Sequence, residues 1–180
     1  MHKFALFTLL IGVLVGCQPA GQPAQSITQP VVQLEDQGFD LGLEIVETNG
    51  KQASLNVSLK MDEDSYVISS YSTDDIYGHF EISLTESPHL FGGNPMAEIP
   101  ASVEEFDPVI KQSVRFIRQE TTFQQPLEVL SEDDFVAEGK IEFVLEPRCV
   151  PYDVTFTISQ QDGKLKVVKT KTSISREYKI

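Results

Sequence analysis

Basic residues are scarce in this chain, and their scarcity excludes one large class of partners. The 180 residues include 14 Lys and Arg against 27 Asp and Glu, which gives a net charge of −13. Nucleic acids and anionic lipid head groups bind basic surfaces and repel acidic ones. We therefore exclude nucleic acid as a partner. We also expect any attachment to a membrane to depend on a lipid and not on the protein surface.

Long apolar runs are also missing, with one exception at the N-terminus. Residues 4–15 are apolar apart from one threonine and one glycine, and they follow a basic start at His2 and Lys3. This run spans roughly a dozen residues, whereas a helix needs roughly 20 to cross a bilayer core of about 30 Å. The layout is typical of a signal peptide and not of a permanent transmembrane helix. We predict a signal peptide over residues 1–16.

Cysteine occurs only twice, and the first cysteine directly follows the predicted signal peptide. Leu14-Val15-Gly16-Cys17 resembles the lipobox of bacterial lipoproteins, in which the cysteine sulfur receives a diacylglyceryl group. The alternative is an ordinary signal peptide with a chance cysteine near its cleavage point. We predict lipidation of Cys17 from its position in this tetrapeptide. Three acyl chains at about 0.8 kcal/mol per buried methylene would then make the attachment permanent. The mature lipoprotein would then lie in the cell envelope, anchored to a membrane and facing the periplasm or the cell exterior.

The next segment lacks both charge and aromatic side chains. Residues 18–30 consist mainly of Gln, Pro, Ala and Gly, a composition that cannot bury enough apolar area to fold. Together with the lipidated cysteine, residues 17–30 are predicted to form a flexible tether. About 150 residues then remain, enough for one domain with its own core, and we place this domain at residues 31–180. The sequence leaves its oligomeric state open.

Helical periodicity is absent from the domain, and period-two alternation of apolar residues takes its place. Segments 43–47 and 55–59 flank Asn49-Gly50, a pair that readily forms a tight hairpin turn. Segments 154–158 and 165–167 flank a second turn containing Asp162-Gly163. Further alternating segments are centred on Phe80, Ile82 and Leu84, on Val114 and Phe116, on Leu127 and Val129, and on Ile141, Phe143 and Leu145. The pattern predicts an all-β domain, an immunoglobulin-like β-sandwich, with a closed barrel as the alternative.

Two regions of biased composition stand out within the domain. Residues 85–108 hold four prolines and the pair Gly92-Gly93, so we expect a segment that is not regular throughout, of a length often seen in functional covers or binding loops. Six of the basic residues fall in the last 17 positions. They could form a docking surface, but we favour an edge strand whose lysines discourage pairing with other strands.

Catalytic triads and metal sites find little support in the sequence. His79 and His89 are the only histidines after the signal peptide, and no nucleophile-elbow glycine pattern accompanies them. The acidic runs 62–64 and 74–75 lack the spaced acids and the glycine of a calcium loop. We interpret both runs as solvated turns, and we expect neither a bound metal nor a cofactor.

The second cysteine is the strongest candidate for chemistry. With Cys17 lipidated, Cys149 is the only thiol, and no disulfide can form within the chain. It lies in Glu146-Pro147-Arg148-Cys149-Val150-Pro151, between two alternating segments, where a turn could expose it. Arg148 beside it would favour the thiolate, which is the form that attacks disulfides. The alternative is a small, inert, buried cysteine.

The sequence around this cysteine resembles the second active-site cysteine region in the N-terminal domain of the thiol:disulfide interchange protein DsbD. The matching residues are Arg148-Cys149-Val150-Pro151, leading into Val154-Thr155-Phe156, and residues 92–107 are loosely similar upstream. The resemblance implies an immunoglobulin-like domain outside the cytoplasm that exchanges thiols and disulfides with other exported proteins. Cys149 would match the second cysteine and Pro151 the proline after it.

The chain departs from the DsbD pattern in three respects. Residues 143–146, where the first cysteine should lie, hold no cysteine, and Tyr152 replaces a second proline. Neither a transmembrane nor a thioredoxin-like domain follows up to Ile180. Because a mixed disulfide must be resolved by another thiol, we do not expect a complete enzyme. Two hypotheses remain: disulfide exchange through Cys149 with partners that bring their own resolving cysteine, or a binding or scaffold module without redox activity.

Overall fold

The computed structural model describes residues 37–49, 51–73, 78–93 and 95–175. The predicted signal peptide, Cys17 and the tether lie outside these residues, as do Gly50 and the acidic pair 74–75. The described residues form β-strands and connecting segments, without an α-helix. None of them belongs to a helix with the length and hydropathy needed to cross a bilayer.

The domain contains twelve strands among its described residues. They are β1 (Phe39–Asn49), β2 (Gln52–Met61), β3 (Val67–Ile68), β4 (Glu81–Leu84), β5 (Leu90–Gly92), β6 (Ala97–Ile99), β7 (Val103–Asp107), β8 (Gln112–Ile117), β9 (Thr121–Val129), β10 (Phe135–Leu145), β11 (Val150–Gln161) and β12 (Lys164–Ile174). Sheet I has the order β1-β2-β9-β5, with β6 also paired to β9. Sheet II has the order β12-β11-β10-β4, and the small sheet III has the order β3-β8-β7.

Sheets I and II pack face to face around one hydrophobic core. Leu55 and Phe123 from sheet I belong to the same buried cluster as Ile141 and Phe156 from sheet II. The core strands show the alternation that the sequence predicts, because every second side chain of β2, β9 and β11 is buried. The predicted all-β sandwich is therefore confirmed.

Both predicted hairpins are present. In the first, β1 and β2 pair in antiparallel fashion with Leu43 opposite Val57, around the turn that contains Asn49. In the second, β11 and β12 pair with Ile158 opposite Val167. Asp162 and Gly163 in that turn have φ angles of 50° and 72°, the left-handed conformation that a tight hairpin turn requires.

Residues 85–108 form more regular structure than the sequence indicates. The segment is irregular in part, as predicted, but it also contains β5, β6 and β7. β5 and β6 each pair with a different part of β9, and β7 pairs with β8. The segment is therefore not one long loop, because hydrogen bonds to β8 and β9 hold its short strands at the edges of sheets I and III.

Strand β12 lies at the edge of sheet II, which is the position that its lysines predict. Lys169 also donates a hydrogen bond to the carbonyl oxygen of Leu41 in β1, at 3.0 Å. The remaining basic residues of the C-terminal group, Arg176 and Lys179, lie outside the described residues.

A buried polar cluster fastens sheet III to sheet I. Glu98 on β6 is 7% exposed, and its carboxylate accepts hydrogen bonds from the hydroxyls of Ser69 at 2.7 Å and Ser70 at 3.3 Å. Ser102 donates to the Ser69 hydroxyl at 3.1 Å, and Arg115 donates to the Ser102 hydroxyl at 3.1 Å. Because buried polar groups cost free energy unless they are paired, these bonds help to fix the position of sheet III.

Candidate thiol site

Cys149 lies in the turn between β10 and β11, where the sequence places it. Its side chain is exposed, and it is the only free cysteine among the described residues. The alternative of a buried cysteine is therefore wrong. The backbone of Cys149 has a φ angle of 51°, a left-handed conformation that costs a non-glycine residue roughly 1–2 kcal/mol.

The nearest functional group to the thiol is the carboxylate of Glu146. This residue follows β10, and its backbone forms two hydrogen bonds with Tyr66, at 3.0 and 2.9 Å. Its side chain is buried, and Oε2 accepts hydrogen bonds from the Cys149 Sγ–H at 3.2 Å and from the Cys149 backbone N–H at 3.3 Å. The carboxylate therefore fixes both the turn and the direction of the thiol.

The charge of Glu146 controls the protonation of the thiol. The hydrogen bond to Glu146 raises the pKa of Cys149, and the negative charge of the same carboxylate and a small degree of burial raise it further. The carboxylate favours the neutral thiol because ionisation would remove the donated proton and place two negative charges side by side. Ionisation of Cys149 is therefore shifted to higher pH than that of a free cysteine.

Arg148 does not act on the thiol as the sequence indicates. Its guanidinium forms an ion pair with Asp62 at 3.5 Å. The guanidinium also lies close to Gly38, because a Cβ atom built on that glycine would be 2.7 Å from Arg148 Nη1. The groups that shift the pKa of Cys149 are Glu146 and the local burial, and the net shift is upward, so the structure gives no support to the expectation that Arg148 favours the thiolate.

Tyr66 lies next to Glu146, and Arg118 lies next to Tyr66. The Tyr66 ring meets the Phe116 ring edge to face at 5.4 Å, and the Arg118 guanidinium lies 4.4 Å from the centre of the Tyr66 ring. Burial, followed by the charge of Glu146, raises the pKa of Tyr66, while Arg118 lowers it. Arg118 also pairs with Glu105 at 3.3 Å. Tyr66 thus contacts Glu146 through the two backbone hydrogen bonds and is itself held by the Phe116 ring and the Arg118 guanidinium.

The other residues on which the predicted resemblance to DsbD depends lie in the strands on either side of the turn. Pro151 is the second residue of β11 and lies opposite Val144 of β10. Phe143 and Leu145, in the stretch that would hold a first cysteine, are buried in the core. Tyr152 packs against Phe143 and donates a hydrogen bond to the carbonyl oxygen of Gln37 at 3.1 Å. These positions build the sandwich and bring no second thiol to Cys149.

The remaining candidate residues do not assemble into a further site. His79 forms a bridge with Ile68, whereas His89 stacks on Phe135. The acidic run 62–64 lies at an exposed turn. Within the described ranges, no three His, Cys, Asp or Glu residues are grouped so that they could hold a metal ion.

Together, these features define an all-β sandwich protein with a solvent-exposed thiol that donates a hydrogen bond to a buried carboxylate. No family model, curated protein or solved structure matches the chain. The sequence reasoning identified Cys149 but missed Glu146 and Tyr66. Glu146 could have been recognised as an acid three residues before the cysteine in a short turn, whereas nothing in the sequence links Tyr66 to this site.

Proposed function

We propose that this protein is a lipid-anchored, extracytoplasmic β-sandwich protein that forms mixed disulfides with exported proteins through Cys149. The proposal includes an immunoglobulin-like domain similar to the N-terminal domain of DsbD. The observation that supports it is an exposed cysteine whose thiol and backbone N–H each donate a hydrogen bond to the buried Glu146. Glycine would adopt the left-handed backbone at this position without strain, so the cysteine is better explained by its sulfur than by the turn.

The geometry supports a proton-coupled exchange. Glu146 Oε2 accepts the Cys149 proton while Sγ attacks one sulfur of a partner disulfide. A new S–S bond forms to Cys149, the old S–S bond breaks, and the released partner sulfur leaves as a thiolate. That thiolate, or another in the partner, later attacks the mixed disulfide and releases Cys149, which regains its proton. The cycle begins with the Cys149 thiol and one partner disulfide and ends with one thiol and one disulfide, so no outside oxidant or reductant is needed.

A binding or scaffold module without redox activity is the second candidate. The raised pKa of Cys149 favours it, because the thiolate is the reactive form of cysteine. The exposure of Cys149 and the absence of another free cysteine among the residues that the structure describes fit either function.

The deciding experiment measures mixed-disulfide formation with hydroxyethyl disulfide, a neutral probe. We expect the native, lipidated protein to gain one thioethanol adduct by intact mass, and Cys149→Ser to gain none. The lipidated sulfur of Cys17 is a thioether and cannot compete. If the native protein stays unmodified while the unfolded protein reacts fully, the exchange function is wrong and the binding module replaces it.

Replacing Glu146 by Gln should lower the pKa of Cys149, since the substitution removes the negative charge that raises it. The thiolate fraction at neutral pH then increases, and alkylation by iodoacetamide becomes faster. The measurement is the alkylation rate against pH, whose midpoint should move to lower pH.

Glu142→Gln is the matched control for this substitution. Glu142 lies on β10, four residues before Glu146, but its carboxylate pairs with Lys140 at 2.8 Å. We expect its midpoint to equal that of the wild type. A Glu146→Gln midpoint that is unchanged or higher would show that the carboxylate does not control the thiol.

A further inference from the structure

Three lysines of β12 lie on the outer face of sheet II. Alternate residues of β11 are buried in the core, and the residues between them, which include Thr155 and Ser159, point away from it. Residues directly opposite each other on neighbouring strands share a face. Lys166 lies opposite Ser159 and Lys171 opposite Thr155, and Lys164 precedes Lys166 by one alternation. We call Lys164, Lys166 and Lys171 the lysine row.

A bulge in β12 brings the third lysine into this row. Lys166 and Lys171 are five positions apart (171 − 166), and an odd spacing in a regular strand places two side chains on opposite faces. Phe156 lies opposite Lys169, whereas Thr155 lies opposite Lys171, so β12 holds one extra residue at this point. The extra residue of a bulge shifts the alternation, and Lys171 returns to the outer face.

The lysine row carries positive charge that no described residue neutralises. All three side chains are exposed, and none of them forms an ion pair with any residue that the structure describes. The whole chain holds 27 acidic residues against 14 basic ones. A row of exposed, unpaired cations is therefore set apart from the acidic remainder of the protein.

Protection of the β12 edge does not by itself explain this row, because β1 already lies along that edge. The backbone N–H of Leu165 donates a hydrogen bond to the Glu47 carboxylate at 3.0 Å. Lys169, which belongs to the opposite face of β12, donates to the carbonyl oxygen of Leu41 at 3.0 Å. The lysine row points away from these contacts and is open to a partner.

We propose that the lysine row binds an extended acidic segment of a partner protein, by complementary charge. Lys164 and Lys166 are separated by about 6.6 Å, two residues of strand rise, which is also the spacing of alternate side chains in an extended peptide. Val168 lies between Lys166 and Lys171 on the same face, opposite Thr157, and is 44% exposed. The fitting segment therefore carries acid, acid, apolar and acid at successive alternate positions.

The neighbouring strands limit the partner to one narrow chain. Glu138 and Glu142 of β10 and Asp153 of β11 lie on the same outer face. Strands about 4.8 Å apart place β10 about 10 Å from β12, comparable with the screening length of about 8 Å at physiological ionic strength. A broad anionic surface would meet these acids and be repelled. A single extended chain along β12 meets mainly the lysines.

The test uses the lipidated full chain in a neutral detergent. The probes are the fluorescein-labelled peptide Ser-Glu-Ser-Glu-Ser-Val-Ser-Glu-Ser and its reverse, which cover both chain directions. Fluorescence anisotropy measures Kd. We expect saturable binding of one peptide that weakens with added salt. Lys164→Gln, Lys166→Gln and Lys171→Gln together should raise Kd about tenfold, which is roughly the contribution of three exposed ion pairs.

The matched control carries Lys51→Gln, Lys60→Gln and Lys111→Gln. These lysines are also exposed and form no ion pair with another described residue, and the net charge changes by the same amount. We expect the control to keep the wild-type Kd. Arginine at all three positions of the lysine row should also keep it, which separates loss of charge from loss of folding.

Val168→Ser should weaken peptide binding further evidence of charge aside, because the substitution removes the apolar contact between the lysines. Three outcomes overturn the proposal. Absence of saturable binding by both peptides leaves the lysines as edge protection only. Equal losses in the two triple variants assign binding to net charge and not to the lysine row. Competition by dextran sulfate, with binding unchanged in Val168→Ser, assigns the row to a polyanion without apolar groups. None of these outcomes affects the exchange function of Cys149.

Discussion

Phe123→Ala is expected to lower the free energy of unfolding by about 3–5 kcal/mol, the usual cost of truncating a buried phenylalanine. The Phe123 side chain has no exposed surface, and its ring stacks on Phe80 with the ring centres 3.5 Å apart. It also belongs to β9, where it lies opposite Val57 of β2 and Glu98 of β6. Urea unfolding followed by circular dichroism gives the free energy directly.

Phe106→Ala is the matched control for the core substitution. Phe106 is 66% exposed on the outer strand of sheet III, and we expect a change within about 0.5 kcal/mol. Equal losses for the two variants would mean that Phe123 is not packed in the core as the structure describes.

Cys17→Ser is expected to move the protein almost completely from the membrane to the soluble fraction. Without the cysteine sulfur no diacylglyceryl group can be attached, and an acidic protein surface has no affinity of its own for anionic lipid. Partition between the detergent-rich and aqueous phases of Triton X-114 measures the change, and incorporation of labelled palmitate measures the lipid itself.

Cys149→Ser serves as the control for the anchor, because it removes the other sulfur and should leave both partition and palmitate incorporation unchanged. Recovery of Cys17→Ser in the detergent-rich phase with its palmitate intact would contradict the predicted anchor.

The fold could be predicted from the sequence wherever the signals are local. Alternation of apolar residues marks each long strand, and Asn49 and Asp162-Gly163 mark two hairpin turns. The short strands β5 and β6 could not be found in this way, because prolines and glycines obscure their pattern. They are strands because β9, far away in the sequence, supplies their hydrogen bonds.

The candidate site could be predicted only in part. The position of Cys149 between two alternating segments indicates a turn, but adjacency in the sequence gave the wrong electrostatic partner. In the turn, Arg148 reaches Asp62 while the carboxylate of Glu146 folds back onto the thiol. Side-chain direction in a turn follows from backbone dihedral angles, such as the φ of 51° at Cys149, and the order of residues does not reveal it.

The bond between Cys149 and Glu146 also affects how long a captured partner would stay attached. Once Sγ is joined to another sulfur it has no proton to donate, and the buried carboxylate loses one of its two hydrogen bonds from Cys149. A hydrogen bond to a charged group contributes about 1.5–3 kcal/mol. Loss of this hydrogen bond makes the mixed disulfide less stable by part of that free energy. The turn therefore favours release of a captured partner.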